Sequence, residues 1–471
     1  MPETGADGKP PRGVVLVTVD SLRADALGAG VAPTLEGLAD RGVSFRNAFA
    51  HGNWTPFSFP AVLGTDHVFA DDGSIGVGTE TLAERLSAAG VATAGFNAAN
   101  GFLTSHWGYD RGFDRYRSYL GDGSVLTSRY VMAHPTVRAW LQALGTSVRG
   151  LVGRLRGTDS APIENASKLR DVERGAQSFL RTVDRPFFCW VHYMDLHTPY
   201  LPAPRHVRAV SGDRTGITRL LRSQINAGLG RQVTDGALAS LRTLYHAALR
   251  GVDESVARLL DTLSTRGLRE RTCVVVAGDH GEEFQDHGHL AHYPKLYDEL
   301  VRVPLVVDAP GEPGRRIDAP VGLDTVPPTV CDWLGVGTTG FAGESLLPAL
   351  RGIAPSRAPV ISVAVRGESV TDQPIPRSRS AGDLLVSART DRFTYIYNAG
   401  TGHRELYDRR VDPGETTDRS GRPEAEPTVR RLHRAVESYL AGLGSESGSG
   451  SGEHAPPDEA VERRLGALGY R

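Results

Sequence analysis

Lysine is all but missing from this chain. Its 471 residues include 53 basic ones, and only Lys9, Lys168 and Lys295 are lysine. Positive charge is not in surplus either. Fifty-five Asp and Glu leave a formal charge of −2, whereas a nucleic-acid binder normally carries a strong basic excess. Cysteine is scarce. Cys189, Cys273 and Cys331 are odd in number, far apart and each set in an apolar run, which argues for free buried thiols over a disulfide or a CxxC metal site. Residues 1–12 (MPETGADGKPPR) are polar and lack the apolar stretch of a secretion signal. No run approaches the ~18 apolar residues that span a bilayer. The expectation is a soluble, cytoplasmic protein with no membrane span and no nucleic-acid partner, its oligomeric state left open. Glycine (55) and proline (29) stay below the ~25–30% typical of low-complexity chains, and 40% hydrophobic residues are enough for a large core.

What the chain does have is alternation. Short apolar runs recur at Val14 to Val19, Val91 to Phe96, Phe187 to Val191, Cys273 to Ala277 and Pro304 to Val307, with amphipathic stretches between them. Thr79 to Ala89 reads as one helix. Ala237 to Leu263 reads as the longest, with Leu241, Leu244, Ala248, Val252, Val256 and Leu259 at spacings of three and four. Continuous apolar strands alternating with helices predict an α/β fold: a large, mostly parallel sheet sandwiched by helices. Residues 121–180 and 205–235 are Arg-, Gly- and Ser-rich and less periodic, and are expected to be excursions from that core. Residues 1–355 form this unit. Residues 356–443, with short strands at Val360 to Val365, Leu384 to Ala388 and Phe393 to Asn398 and a helix over Pro427 to Leu443, form a smaller C-terminal α+β subdomain. Residues 444–471, opening with GSESGSGSG, read as a flexible linker and tail.

Open α/β sheets hold their ligands outside the carboxyl ends of the strands. Asp20 follows the first run, Asp195 and His197 follow FFCWVHY, and Asp279 and His280 follow CVVVAG. One Asp at a strand end is ordinary turn chemistry; three such ends rich in metal-compatible groups are not. The densest cluster is Asp279-His280-Gly281-Glu282 followed by His287, His289, His292 and Lys295, where a metal ligand pair is backed by groups able to hold an anion. Asp20, Asp279 and His280 would bind a divalent ion through oxygen and ring nitrogen. A candidate nucleophile lies in NWTPFSFPAVL. Thr55 before Pro56 reads as a helix N-cap, and the same geometry aims its hydroxyl at an anion-attracting helix start. Thr is a weak nucleophile until a metal or base activates it. Ser58 is a second hydroxyl nearby. Asn100, in GFNAANGFL, reads as a strand-to-helix turn residue.

These residues resemble the sulfatase branch of the alkaline phosphatase superfamily. VVLVTVDSLRADALG is similar to the family's opening strand and metal-binding Asp, and RGVSFRNAFAHGNWTPFSFPAVLGT to its nucleophile segment. WVHYMDLHTPYLP and AGDHGEEFQDHGHLAHYPKLYDELVRVPLVV are similar to its two later site motifs, and GLDTVPPTVCDWLGV, FAGESLLPAL, RTDRFTYIYN, RELYDRRVDPGE and RRLGALGY follow in the family's order. The resemblance implies a sulfatase-like fold. It also implies metal ligation by Asp20, Thr55, Asp279 and His280, a Thr55 nucleophile, and His197, His292 and Lys295 as substrate-binding groups. Of these, His197 and Lys295 would also protonate the leaving group. The chain departs from sulfatases where they carry a Cys or Ser converted to formylglycine: Thr55 cannot form that aldehyde, Phe59 replaces the motif's Arg, and Ser21 stands where a second Asp is common. Thr nucleophiles are typical of the superfamily's phosphodiesterases and phosphoglycerol transferases. The resemblance therefore implies a metal-dependent hydrolase of a phosphodiester or phosphonate ester, with one divalent ion (Mn or Zn favoured, Ca or Mg possible) and no formylglycine. Sulfuric ester hydrolysis, a phosphoglycerol-type transferase and a non-catalytic metal-binding scaffold are the alternatives.

Overall fold

A run such as VVLVTV has no polar face to turn toward water, and it becomes the middle of the fold. Strand β1 (Gly13–Val19) is buried at every position. The structure, a computed structural model, describes residues 13–64, 79–120, 168–212, 233–292, 294–366 and 383–445. β1 pairs in parallel with β5 (Phe187–Tyr193) on one side and β6 (Thr272–Gly278) on the other. Beyond β5 lie β3 (Ala92–Asn97) and the short β4 (Arg115–Arg117), both parallel. Beyond β6 lie β9 (Arg302–Asp308), β2 (Val43–Phe49) and β10 (Arg315–Gly322).

The eight-stranded sheet is mostly parallel, with β9 running against both neighbours. That reversal has a local cause. Among the described residues, the connection from β6 to β9 holds a hairpin of two two-residue strands, β7 (Glu283–Phe284) with β8 (Leu290–Ala291), and the short helix Asp298–Val301. The chain therefore returns beside β6 without the crossover helix a parallel neighbour needs. β2 and β10, which apolar runs do not reveal, are edge-side strands with exposed Arg46 and Arg316.

Helices cover both faces. On one face, α1 (Pro33–Arg41), α4 (Leu169–Thr182), α5 (Pro204–Ser211) and α6 (Asp235–Thr265) pack over the strands in a core that includes Val15, Val17, Val172, Leu244, Val252 and Val274. On the other, α2 (Thr55–Leu63), α3 (Leu82–Ala88) and α7 (Val326–Trp333) pack over Leu16, Trp190, Val275 and Leu305. α6 matches its periodicity and starts where the Thr234 hydroxyl accepts from Ala237 N. α3 starts later than Thr79 because Thr81 and Glu84 form a capping box. Helices α4 and α5 correct the expected excursions, because both bury an apolar stripe on the body; residues 121–167 and 213–232 lie outside the described residues.

The second sheet is antiparallel, ordered β11 (Val360–Arg366), β12 (Asp383–Arg389), β13 (Phe393–Asn398) and β14 (Arg404–Asp408), with helix α8 (Glu426–Ser445) against it. One of its faces joins the same apolar cluster as the large sheet, through Val363, Val365, Leu384 and Val386. The other face, through Ala364, Leu385 and Ile396, packs on Leu296, Leu300 and Val301 from the β6–β9 connection. Residues 446–471 lie outside the described residues.

Candidate functional site

Alternation along β1 puts Val14, Leu16 and Thr18 on one face, and Asp20 follows at the strand's carboxyl end. Its amide is held by Tyr193 O of β5 at 2.9 Å, while Asp279 N reaches Val19 O at 3.4 Å from the end of β6. The two carboxylates are thus fixed by the parallel register of adjacent strands. Thr55 opens α2 just beyond them. It is not an N-cap: Trp54 occupies that position, and Thr55 begins the helix itself. Its hydroxyl, relieved of capping, lies 3.1 Å from Asp20 Oδ2 and 3.1 Å from Asp279 Oδ2. All three residues are at most 1% exposed.

A hydroxyl has a single proton, so it can satisfy only one of those carboxylates at a time. The remaining partners are backbone amides and neutral donors. Asp279 Oδ1 accepts from Ser21 N and His280 N, Asp20 Oδ1 from Ser21 Oγ, and Asp20 Oδ2 from Asn100 Nδ2. Among the described residues, neither carboxylate is hydrogen-bonded by an arginine or lysine. His280 Nδ1 lies 2.9 Å from Gly281 O; a carbonyl only accepts, so Nδ1 carries a proton, and in the neutral ring that leaves Nε2 as the ligand nitrogen. That Nε2 has no hydrogen-bond partner and lies 3.6 Å from Asp20 Oδ1 and 3.6 Å from Asp279 Oδ2. A divalent cation fits this donor set: buried carboxylates that no described arginine or lysine hydrogen-bonds, an imidazole nitrogen without a hydrogen-bond partner and a hydroxyl. Among the described residues, Asp20, His192 and Asp279 form a group whose ligand atoms lie within 4.8 Å of one another.

The electrostatics agree. Burial opposes the charge on Asp20, but His192, His280 and His197 outweigh it and hold its carboxyl below the ordinary range. Burial and the Asp20 charge together push the Asp279 carboxyl well up. His280 keeps its place because Gly281 can have no side chain: a Cβ there would lie 1.9 Å from Glu299 O.

His197 and His292 belong to the same neighbourhood. The His292 ring lies 5.1 Å from that of His280 and 5.0 Å from that of His197. Burial lowers His197 to about 4 and His292 to about 3, so both imidazoles are neutral at pH 7. His197 Nδ1 donates to Thr198 O at 2.6 Å. Glu282 Oε2 lies 3.4 Å from His292 Nδ1, and burial pushes the Glu282 carboxyl up to about 7.

Lys295, expected to contact the transferred anion, has its ammonium on Glu283 and the carbonyl of His287, stapling the β7–β8 hairpin. Two expectations need correcting. Ser58 turns its hydroxyl to Asp279 O at 2.6 Å. Asn100, read as a turn residue, reaches into the site, donating to Asp20 Oδ2 at 3.1 Å and Thr55 Oγ1 at 3.3 Å, because Ala99 at φ +62° swings the chain over the β3 end. Asp195 lines a separate small cavity with Arg170, Arg205 and His206. His192 was missed altogether: it sits inside an apolar strand, and a histidine there reads as core. The signal that could have found it is its place two residues after Trp190, level with Thr18 and so two positions before Asp20 in the register.

The family model for sulfatases matches residues 12–336. Among curated proteins, the chain is 25% identical over 271 residues to an ulvan-active sulfatase of Formosa agariphila, covering 56% of this chain and 49% of the relative. It is 29% identical over 192 residues to a choline-sulfatase of Rhizobium meliloti, covering 41% and 35%. The match spans less than half the length of either relative. Among solved structures, a phosphonate monoester hydrolase of Agrobacterium radiobacter superposes with a TM-score of 0.67 at 19% identity, covering 92% of this chain and 96% of the other. A protein solved with its substrate D-glucosamine-2-N,6-O-disulfate gives 0.67 at 18%, covering 94% and 100%. At these identities the superpositions bear on the fold. No described helix is long and apolar enough to cross a membrane.

Proposed function

The chain belongs to the sulfatase family, and from that premise we propose that it is a metal-dependent hydrolase of a phosphodiester or phosphonate ester, with Thr55 as nucleophile. One observation carries the reading: a single threonine hydroxyl shared by two buried carboxylates that, among the described residues, imidazoles approach and no arginine or lysine answers. Asp20, Asp279, His280 and Thr55 would hold the divalent ion. When bound, it supplies positive charge that lowers the pKa of the hydroxyl and offsets charge on the transferring group.

The chain's own residues do the rest. Asn100 and the two carboxylates orient Thr55 Oγ1. Thr55 Oγ1 forms a bond to phosphorus as the bond to the departing alcohol breaks, and the proton that Thr55 gives up is the one the alcohol leaves with. A water then attacks the threonyl ester and frees Thr55. His197, its ring held through Nδ1–H to Thr198 O, is assigned to accept the water's proton. His292, backed by Glu282, is assigned to the non-bridging oxygens. Lys295 acts indirectly in this reading, by holding the hairpin that precedes His292.

A second reading, sulfuric ester hydrolysis, is favoured by the curated relatives, which are named sulfatases. Against it stands the resemblance to enzymes that use a formylglycine, which Thr55 cannot supply. The test assays p-nitrophenyl sulfate, phosphate, phosphodiester and phosphonate ester side by side, with and without an acceptor alcohol. The phosphodiester or phosphonate ester is expected to turn over fastest, with no gain from the acceptor. Thr55→Ala is expected to lose at least ~10³-fold in kcat/KM while still binding metal. Near-normal turnover by that variant, or sulfate as the best substrate, overturns the scheme.

A further inference from the structure

His192 lies in β5 directly beside Thr18 of β1, on the same face as Trp190 and beneath Phe59 of α2, whose ring meets its own edge-on at 5.0 Å. It is fully buried, and its Nε2 has no hydrogen-bond partner, lying 3.7 Å from Asp20 Oδ2. Two donors bound to one ion at ~2.1 Å stand roughly 3.0–3.7 Å apart, depending on the angle between them. His280 Nε2, at 3.6 Å from the same Asp20 carboxylate, has the same spacing.

Donor counting around Thr18 gives the tautomer. Trp190 Nε1 can only donate, and it donates to Thr18 Oγ1 at 2.9 Å. His192 Nδ1 is also 2.9 Å from Thr18 Oγ1, and Val191 O is 3.5 Å away. Every group is satisfied in one arrangement: Trp190 N–H and His192 Nδ1–H both donate to Thr18 Oγ1, whose own proton goes to Val191 O. That leaves His192 Nε2 bare and turned toward Asp20. In the other tautomer, Nε2–H is buried with no acceptor within hydrogen-bond distance. The protein thus builds on His192 the arrangement it builds on His280, a ring fixed through Nδ1 with a naked nitrogen beside the same carboxylate.

We infer that His192 Nε2 is a fifth donor to the ion, alongside Asp20, Thr55, Asp279 and His280. Thr18 is its positioning residue, holding the tautomer that ligation requires. Two imidazoles with carboxylate and hydroxyl oxygens form a set for a borderline metal such as zinc or manganese and a poor one for calcium or magnesium. This rests on the proposed reading that a divalent ion lies between Asp20 and Asp279.

The test is X-ray absorption at the zinc edge on the full chain loaded with Zn²⁺, with zinc affinity measured by competition against a chelator. The wild type is expected to show two imidazole ligands and a clear preference for Zn²⁺ over Ca²⁺. His192→Gln is expected to show one imidazole and weaker zinc binding. Thr18→Val, which keeps the shape and removes the hydroxyl, is expected to bind zinc about 10-fold more weakly. One imidazole in the wild type overturns the assignment of His192 and leaves the Asp20–Asp279–His280 site standing. No zinc bound by the wild type overturns both. If His192→Gln fails to fold, the wild-type spectrum decides.

Discussion

Asp298 and Glu415 lie under the small sheet with their charge answered by guanidinium groups, whereas Asp20 and Asp279 lie at the ends of β1 and β6 with none. Under the small sheet, the fully buried Arg389 reaches Asp298 Oδ1 and Glu415 Oε1, both at 3.3 Å, while Arg409 and Arg302 close on Asp298 from other sides. Burial works against the Asp298 carboxylate, yet those three arginines bring it down to about 2. In the cleft, histidines hold Asp20 down while burial and a like charge push Asp279 up, and under the small sheet burial likewise pushes Glu415 up. Both places bury a carboxylate pair in a low-dielectric interior, and among the described residues only one pair is met by arginines, the other by imidazoles. A pair balanced by arginine holds the structure together. An unbalanced pair around a hydroxyl marks a place where charge is to be supplied from outside, and such perturbed groups collect at functional sites.

That contrast can be broken most forcefully at the balanced end. Arg389→Met leaves two buried acids short of a cation, and removing one partner of a buried ion pair typically costs about 3–5 kcal/mol. Denaturant unfolding of Arg389→Met is expected to register a loss of that order, and a variant as stable as the wild type would make the arginine network dispensable. At the unbalanced end the sign differs. In the presence of a chelator, Asp279→Asn is expected to be at least as stable as the wild type, because one of two crowded charges is gone. Added metal at a hundredfold excess over Kd is then expected to stabilise the wild type by about 2.7 kcal/mol and the variant far less. Thermal unfolding with and without metal reads both arms.

The smallest expected effect sharpens the link between the two places. His287 Nδ1 meets Glu299 Oε1 at 2.7 Å and its Nε2 meets Glu415 O at 3.1 Å, two acceptors that call for a doubly protonated ring. Burial opposes that charge, but Glu299 and Glu415 raise the pKa above the ordinary value. A raised folded-state pKa gives stability that is fully present below ~6.5 and lost as pH rises through the folded value. Unfolding midpoints compared between about pH 6 and about pH 9 should therefore fall more for the wild type than for His287→Gln. Equal falls would leave His287 uncharged in the fold.

Asp20, Asp279 and His280 were readable from the sequence because a run of buried strand residues announces where it ends, and polar groups just past that end have few structural reasons to gather. The central strands were readable for the same reason. β2 and β10 were not, since edge-side strands carry arginine and asparagine and lose the apolar signature. His192 was hidden by its own surroundings, as FFCWVHY is read as core throughout. Lys295 drew attention through its rarity, yet its partner Glu283 is twelve residues away, and only the hairpin brings them together. Asn100 depended on the left-handed backbone of Ala99, which composition does not reveal for an alanine.

The small sheet is apolar on both faces, and each face is finished by another part of the chain: one by the core under the large sheet, the other by the segment that follows His292. It is therefore not an accessory module that could be exchanged or shed during descent while the cleft stayed intact. A change in the smaller sheet is felt by Leu296, Leu300 and Val301, the stretch of backbone that leads away from His292.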